Sequence, residues 1–230
     1  MMDASHEYWR MLVRSDAALP LFEAALAIAQ DAYPRLPMLE TLARVDGFAL
    51  TLQRRFEGIA QQRTRVQMMR EYFADELGFR GNVNDYYDPD NSYLNRVIER
   101  RVGIPISLAV LYMEISEQAG LPAVGLGFPG HFLVCHPLEH GATVVDVFAG
   151  ARAVSTEELE DRLLPYASGD RERAQRLVLA HLQPVRPRDI LVRMLRNLQT
   201  IYQQRDERDR LEAIQQRLGL LSTASATGSR

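Results

Sequence analysis

The chain contains no lysine and a single cysteine, Cys135, among its 230 residues. Without lysine it cannot form a Schiff base with a carbonyl substrate, and it has no P-loop lysine for a nucleotide phosphate. One cysteine excludes an internal disulfide, a zinc finger and an iron–sulfur cluster. These absences remove several classes of enzyme and metal protein, and we expect no cofactor.

The sequence also lacks a surplus of positive charge and a long apolar run. Its 27 arginines stand against 30 acidic residues, so the net charge is −3, and neither nucleic acid nor an anionic membrane is a predicted partner. The most apolar stretch, residues 103 to 115, is too short for a bilayer and carries Glu114. The chain starts with polar and acidic residues rather than a signal peptide, so we expect a cytoplasmic protein.

What is present is the composition of a globular protein, with 47% hydrophobic residues, arranged in three segments. Residues 1–102 have helical spacing, and residues 103–154 combine one helix with three strand-like runs (123–128, 131–136 and 143–148). Residues 155–221 are helical again and end in a hairpin, whereas residues 222–230 are small and polar and predict a disordered end. This order predicts an α+β fold in which one helix packs against an antiparallel sheet between two helical regions.

Three stretches carry distinctive motifs: residues 78–94 (GFRGNVNDYYDPDNSYL), 100–108 (RRVGIPISL) and 127–134 (GFPGHFLV). They resemble the SirB-type transglutaminase-like family of bacteria, over about residues 20 to 220. The resemblance implies a papain-like or transglutaminase-like core followed by a tetratricopeptide-like helical tail. It implies no substrate, because the function of that family is poorly understood.

The resemblance also places the residues of a catalytic triad. In the wider superfamily a cysteine opens a helix, a histidine lies on a following strand and an aspartate lies on the next strand. The helix dipole and the histidine keep the thiolate ionised, and the carboxylate orients the histidine. These positions fall on Pro105, His131 and Asp146. Since proline replaces the cysteine, the resemblance implies a transglutaminase-like core without its nucleophile.

Strand alternation predicts independently that His131 and Asp146 meet. A four-residue turn over residues 137–140 would pair His136 with Gly141 and place His131 directly opposite Asp146, with Cβ atoms about 5 Å apart. Such a pair is either a dyad that keeps a function or a structural pair that satisfies two half-buried polar groups.

The remaining candidates are weaker. Ser107 is the nearest hydroxyl to the cysteine position, but two helical residues rotate it by about 200° from Pro105, so a first-turn structural role competes with a nucleophilic one. The bend at Pro129-Gly130 allows a ligand to approach the backbone closely. We predict no metal site, because His131 and His136 alternate to opposite faces of their strand.

The resemblance adds three residues to the same cleft. Asn91, Arg100 and Arg101 stand in the motif stretches that the family keeps beside its core, which implies that they bind a ligand there. The alternative is that they form a buried polar framework for the neighbouring loops.

Three functions follow from these patterns. The first is a non-catalytic, transglutaminase-like protein that binds a peptide or protein partner in a regulatory role. The second is an acyl-transfer or hydrolytic enzyme that uses His131 and Asp146 with Ser107 or an activated water. The third is an assembly protein that forms homo-oligomers through its helical tail.

Overall fold

The structure, a computed structural model, describes residues 4 to 227. Within this range the helices are α1 (Ala4–Leu12), α2 (Leu21–Ala27), α3 (Met38–Arg55), α4 (Gln62–Glu71), α5 (Leu94–Arg100), α6 (Pro105–Gln118), α7 (Thr156–Leu163), α8 (Arg171–His181), α9 (Pro187–Gln204) and α10 (Arg208–Thr227). The strands are β1 (Arg80–Gly81), β2 (Val102–Gly103), β3 (Val124–Phe128), β4 (His131–Pro137), β5 (Ala142–Asp146) and β6 (Arg152–Val154). The predicted α+β class is confirmed.

Helix α6 lies at the centre of the molecule. Pro105 begins it, at a position where the missing N–H costs no hydrogen bond. The helix is apolar on nearly all sides and most of its residues are buried, which is typical of a core helix rather than a surface helix. It packs against α3 and against the larger sheet.

The larger sheet is an antiparallel meander in the order β3-β4-β5-β6. The sequence predicts its first three strands, but it misses β6 and extends the third run to Phe148. Strand β5 in fact ends at Asp146, because residues 147–150 form the turn that leads into β6.

Both faces of this sheet are covered. On one face, Phe132 and Val134 belong to the main apolar core, in which α6 lies. On the other face, Leu133 and Cys135 pack in a second cluster with residues of α7 and α8. Since successive strand residues point to opposite faces, neighbouring positions of β4 belong to different parts of the interior.

A two-stranded parallel sheet connects the first predicted segment to the second. Strand β1 pairs with β2, Arg80 opposite Val102 and Gly81 opposite Gly103. The main apolar core also includes residues of both the first and the last helix, α1 and α10. The division of the chain into units at residues 102 and 154 therefore stays a prediction from the sequence.

The tail forms the predicted helical hairpin, and it packs on the rest of the chain. The apolar face of α9 is buried in the main core, and the Tyr93 and Tyr202 hydroxyls lie 2.6 Å apart. Arg217 of α10 is fully buried and holds Asp31 with two hydrogen bonds of 2.6 and 2.7 Å. This hairpin is thus an integral part of the core.

Helix α10 continues further than expected. It extends to Thr227 and so includes residues 222–227, for which the sequence predicts disorder, whereas residues 228–230 lie outside the described range. Among residues 4 to 227, no helix combines the length and the apolar composition that a membrane span requires.

Candidate functional site

His131 and Asp146 meet at one end of the two central strands of the meander, as alternation predicts. His131 begins β4, Asp146 ends β5, and His131 Nε2 donates to Asp146 Oδ2 over 2.8 Å. The predicted register is wrong by two residues, since His136 pairs with Thr143 and not with Gly141. A shift of two residues keeps every side chain on its face, so the pair survives as a diagonal contact.

Asp146 is a buried carboxylate with a full set of donors. Besides His131, Arg162 of α7 donates to Oδ2 over 2.7 Å, and the Ala149 N–H donates to Oδ1 over 3.0 Å. Burial alone would raise the pKa of Asp146, but the hydrogen bonds from His131 and Arg162 outweigh it and hold that pKa well below its ordinary value. Asp146 is therefore ionised at neutral pH, and the shared hydrogen of the pair belongs to His131 Nε2.

That assignment fixes the chemistry of the His131 ring. With the hydrogen on Nε2, the Nδ1 atom of the neutral ring is an acceptor. It makes no hydrogen bond to any other described residue. The ring therefore has the tautomer of a general base, with its acceptor nitrogen unoccupied.

A small cavity of about 150 Å³ lies beside this ring. It is lined by Tyr86, Ile104, Pro105, Ile106, Gly130, His131, Phe132, Arg193 and Asn197. The start of α6 and the start of β4 thus meet at one cavity, which is the juxtaposition that a cysteine–histidine site needs. Pro105 brings neither a nucleophilic atom nor an N–H group to it.

Ser107 does not line this cavity. Its side chain is fully buried, its Oγ donates to the Asn91 carbonyl over 2.5 Å, and it accepts from the Ile104 N–H over 3.2 Å. The rotation of two helical residues turns it away from His131, as the helical geometry predicts. Its hydroxyl holds the first turn of α6 against the preceding loop.

The three residues that the resemblance adds are also absent from the lining of this cavity, so their role as binding residues stays a prediction. The Asn91 side chain is buried and donates to the Asp85 carbonyl over 2.6 Å. Arg100 pairs with Asp88 over 2.7 Å. Asn91 and Arg100 both stabilise the loop before α5, because the backbone polar groups and the carboxylates of that loop need hydrogen-bond or ion-pair partners.

Arg101 has a different structural role. It ends α5 with a left-handed φ of 62°, and its guanidinium lies 5.0 Å from the ring centre of Phe48 and 4.6 Å from that of Phe79. Burial lowers the pKa of Arg101. Its contacts are with aromatic rings of the core, and they place it apart from His131.

The Pro129-Gly130 bend forms the tight turn between β3 and β4. Phe128 pairs with His131 across it, and Gly130 has a φ of 67°, a left-handed value that glycine adopts without strain. Gly130 lines the cavity, whereas Pro129 does not. The turn fixes where β4 starts and therefore where the His131 ring lies.

Four residues of the site escape sequence reasoning: Tyr86, Arg162, Arg193 and Asn197. Arg162 reaches Asp146 from α7, and Arg193 and Asn197 lie one helical turn apart on α9. The i, i+4 spacing of the last two shows that they share a helix face. No local pattern shows that this face closes the cavity, because the position of the face depends on how α9 packs against the rest of the chain.

Cys135 is not a hidden nucleophile of this site. It lies on β4 in the cluster under α7 and α8, and burial raises the pKa of its thiol. A protonated, buried thiol is unreactive. The described residues also contain no group of three metal-ligating side chains.

Comparison with known proteins shows the family of the chain. The family model described as the transglutaminase-like superfamily matches residues 40–196. A UPF0162 protein of Xylella fastidiosa (strain Temecula1) is 42% identical over 197 residues, which cover 85% of this chain and 69% of that protein. A UPF0162 protein of Pseudomonas aeruginosa is 30% identical over 183 residues, or 79% of this chain and 64% of that protein.

A more distant relative is a much longer protein. Human F-box only protein 21 is 34% identical over 142 residues, which cover 58% of this chain and 21% of that protein. The aligned segment is therefore a small part of the human protein. No solved structure matches this chain.

Proposed function

Because the chain belongs to the transglutaminase-like superfamily but has proline where the resemblance places the nucleophile, we propose that it is a non-catalytic protein that binds a peptide or protein partner in a regulatory role. One observation carries the proposal: Pro105 and His131 line the same cavity, and none of the residues lining it is cysteine, serine or threonine. His131 and Asp146 form an oriented base with no cysteine, serine or threonine in that cavity to activate.

The surface around the cavity supports a peptide ligand. Tyr86 and Tyr87 are exposed next to it, and Tyr86 and His131 both contact Phe148 edge to face, with ring centres 6.1 Å apart. Exposed aromatic side chains beside a concavity are typical of protein-binding sites, where they supply contact area at a low cost in entropy.

The relatives are consistent with a binding module. The matching region is 69% of the Xylella fastidiosa UPF0162 protein and about a fifth of human F-box only protein 21. The SirB-type assignment, the tetratricopeptide-like character of the tail and a cytoplasmic location belong to this proposal as well. The burial of the α9 apolar face within the chain argues against that face as an oligomer contact.

The enzymatic alternative makes a different prediction that one experiment tests. Wild-type protein and His131→Ala are incubated with a pool of glutamine-containing peptides, with and without an added primary amine, and the products are followed by mass spectrometry. We expect no hydrolysis or amine incorporation above the level of the variant. Turnover that disappears in His131→Ala would show a water-activating enzyme and would refute the proposal.

A further inference from the structure

Arg193 is the basic side chain of the cavity beside His131, and its charge has no counterpart. Its Nη2 donates to the His131 carbonyl over 2.7 Å and lies 3.4 Å from the Phe128 carbonyl. Its guanidinium lies 5.3 Å from the ring centre of Phe132. Among the described residues, no carboxylate lies within ion-pair distance of Arg193.

Arg217 and Arg188, which are buried more fully than Arg193, do have carboxylate partners, because Arg217 holds Asp31 and Arg188 holds Asp16. Arg101 is half-buried like Arg193 and also has no carboxylate partner among the described residues, but its guanidinium lies against core aromatic rings, whereas Arg193 lines a cavity. Asp146, the carboxylate that His131 contacts, is already bound by Arg162 over 2.7 Å. Burial lowers the pKa of Arg193, since desolvation disfavours the charged form. An incoming anion would relieve that cost.

The size and charge of the cavity limit what fits. A volume of about 150 Å³ corresponds to roughly five water molecules. This is room for a carboxylate with one or two carbons, and the rest of a ligand would lie outside, over Tyr86 and Tyr87. One guanidinium matches a single negative charge, whereas phosphate groups are usually held by clusters of arginine.

We propose that this cavity binds a carboxylate of the peptide ligand, with Arg193 as its ion-pair partner and the Asn197 amide as a second donor. The Asn197 side chain lines the cavity and makes no hydrogen bond to another described residue, so its N–H groups are available. The inference rests on the proposed function and adds the chemical group that the site recognises.

The first test measures binding of synthetic octapeptide pools to the immobilised full chain. One pool has a free C-terminus and no Asp or Glu, a second is amidated and contains one internal Glu, and a third is amidated without acidic residues. We expect retention of the first or second pool, and the difference between them tells a terminal carboxylate from a side-chain carboxylate. Equal retention of all three pools would overturn the carboxylate inference and leave peptide binding intact.

Three variants test the residues. Arg193→Gln should weaken binding of the retained pool at least ~10-fold, but this change also removes the hydrogen bonds to the Phe128–His131 turn. Asn197→Asp is nearly isosteric and keeps that turn, yet it places a carboxylate beside Arg193, so we expect a similar loss. Arg196→Gln, on the exposed face of the same helix, is the matched control and should bind as wild type. Unchanged binding by Asn197→Asp would refute the assignment.

Competition distinguishes the remaining outcomes. Propionate should displace the retained peptides more effectively than inorganic phosphate at equal ionic strength. Stronger displacement by phosphate would overturn the choice of carboxylate. Cleavage of the bound peptides would contradict the proposed function itself, which separates the two failures.

Discussion

His131 and His136 lie five residues apart on strand β4 and face opposite sides of the sheet, and their surroundings differ completely. His136 is fully buried, and its Nδ1 donates to the Pro122 carbonyl over 2.8 Å while its Nε2 accepts from the Tyr112 hydroxyl over 3.0 Å. His131 donates through Nε2 to Asp146 and lies at a cavity.

The difference shows what separates a structural histidine from a potential base. Both nitrogens of His136 are occupied, and burial lowers its pKa to about 4, so it stays neutral at physiological pH. His131 keeps an acceptor nitrogen unoccupied beside a cavity. Strand alternation sends the two rings to different surroundings, and those surroundings determine their chemistry.

The largest difference should appear in stability. His136→Ala removes a fully buried ring and leaves the Tyr112 hydroxyl without its partner, so we expect a loss of about 4 kcal/mol in the free energy of unfolding. His131→Ala should cost only about 1 kcal/mol, because its ring is partly exposed and Arg162 still compensates Asp146. Urea unfolding of both variants measures the comparison, and equal losses would contradict it.

The pH dependence of stability should reveal His136 as well. Its pKa of about 4 in the folded chain lies below the ordinary value of 6.5, so between these values the unfolded chain binds more protons. The contribution is fully present above about pH 6.5 and decreases as the pH falls towards 4, by on the order of 3 kcal/mol in total.

Urea unfolding at several pH values tests this dependence in matched variants. His136→Gln should remove most of the decrease between pH 6.5 and 4, whereas His140→Gln, in the exposed turn between β4 and β5, should keep it. An identical decrease in both variants would show that other groups cause it.

A smaller loss of stability is expected from a change to Asp146, the partner of His131. Asp146→Asn replaces an ionised acceptor of three hydrogen bonds, and we expect a loss of about 2 kcal/mol. An amide N–H facing Nε2 would also move the ring hydrogen to Nδ1, which nitrogen chemical shifts of the histidine ring report. Asp161→Asn, an exposed position on α7, is the control, and an unchanged ring tautomer in Asp146→Asn would contradict the assignment.

Local patterns predict the parts of this molecule that local physics determines. The α+β class, the start of α6 at Pro105 and the meeting of His131 with Asp146 follow from periodicity, proline geometry and strand alternation. The strand register does not follow, because it depends on the residue at which the four-residue turn begins. The actual loop spans residues 138–141, one position later than the turn predicted from proline and glycine. This shift changes the strand pairing by two residues.

The site beyond the histidine pair depends on tertiary packing. Arg162 and Arg193 reach it from helices distant in sequence, and no spacing rule connects them to β4. The motif resemblance places Asn91 and Arg101 in the cleft, whereas the contacts that the structure gives them are with the Asp85 carbonyl and the Phe79 ring. A shared motif indicates which residues matter to a fold without separating those that bind from those that support.

The central claim is that this chain retains an oriented histidine base and lacks only the nucleophile at position 105. The variant Pro105→Cys tests it through the pH profile of alkylation by iodoacetamide, with the wild-type chain and its buried Cys135 as the blank. We predict a thiol with a pKa below about 7, which returns towards ~8.5 when His131→Ala is added. A thiol that titrates near ~8.5 with or without His131 would contradict the account, because the two positions would then not form a catalytic pair.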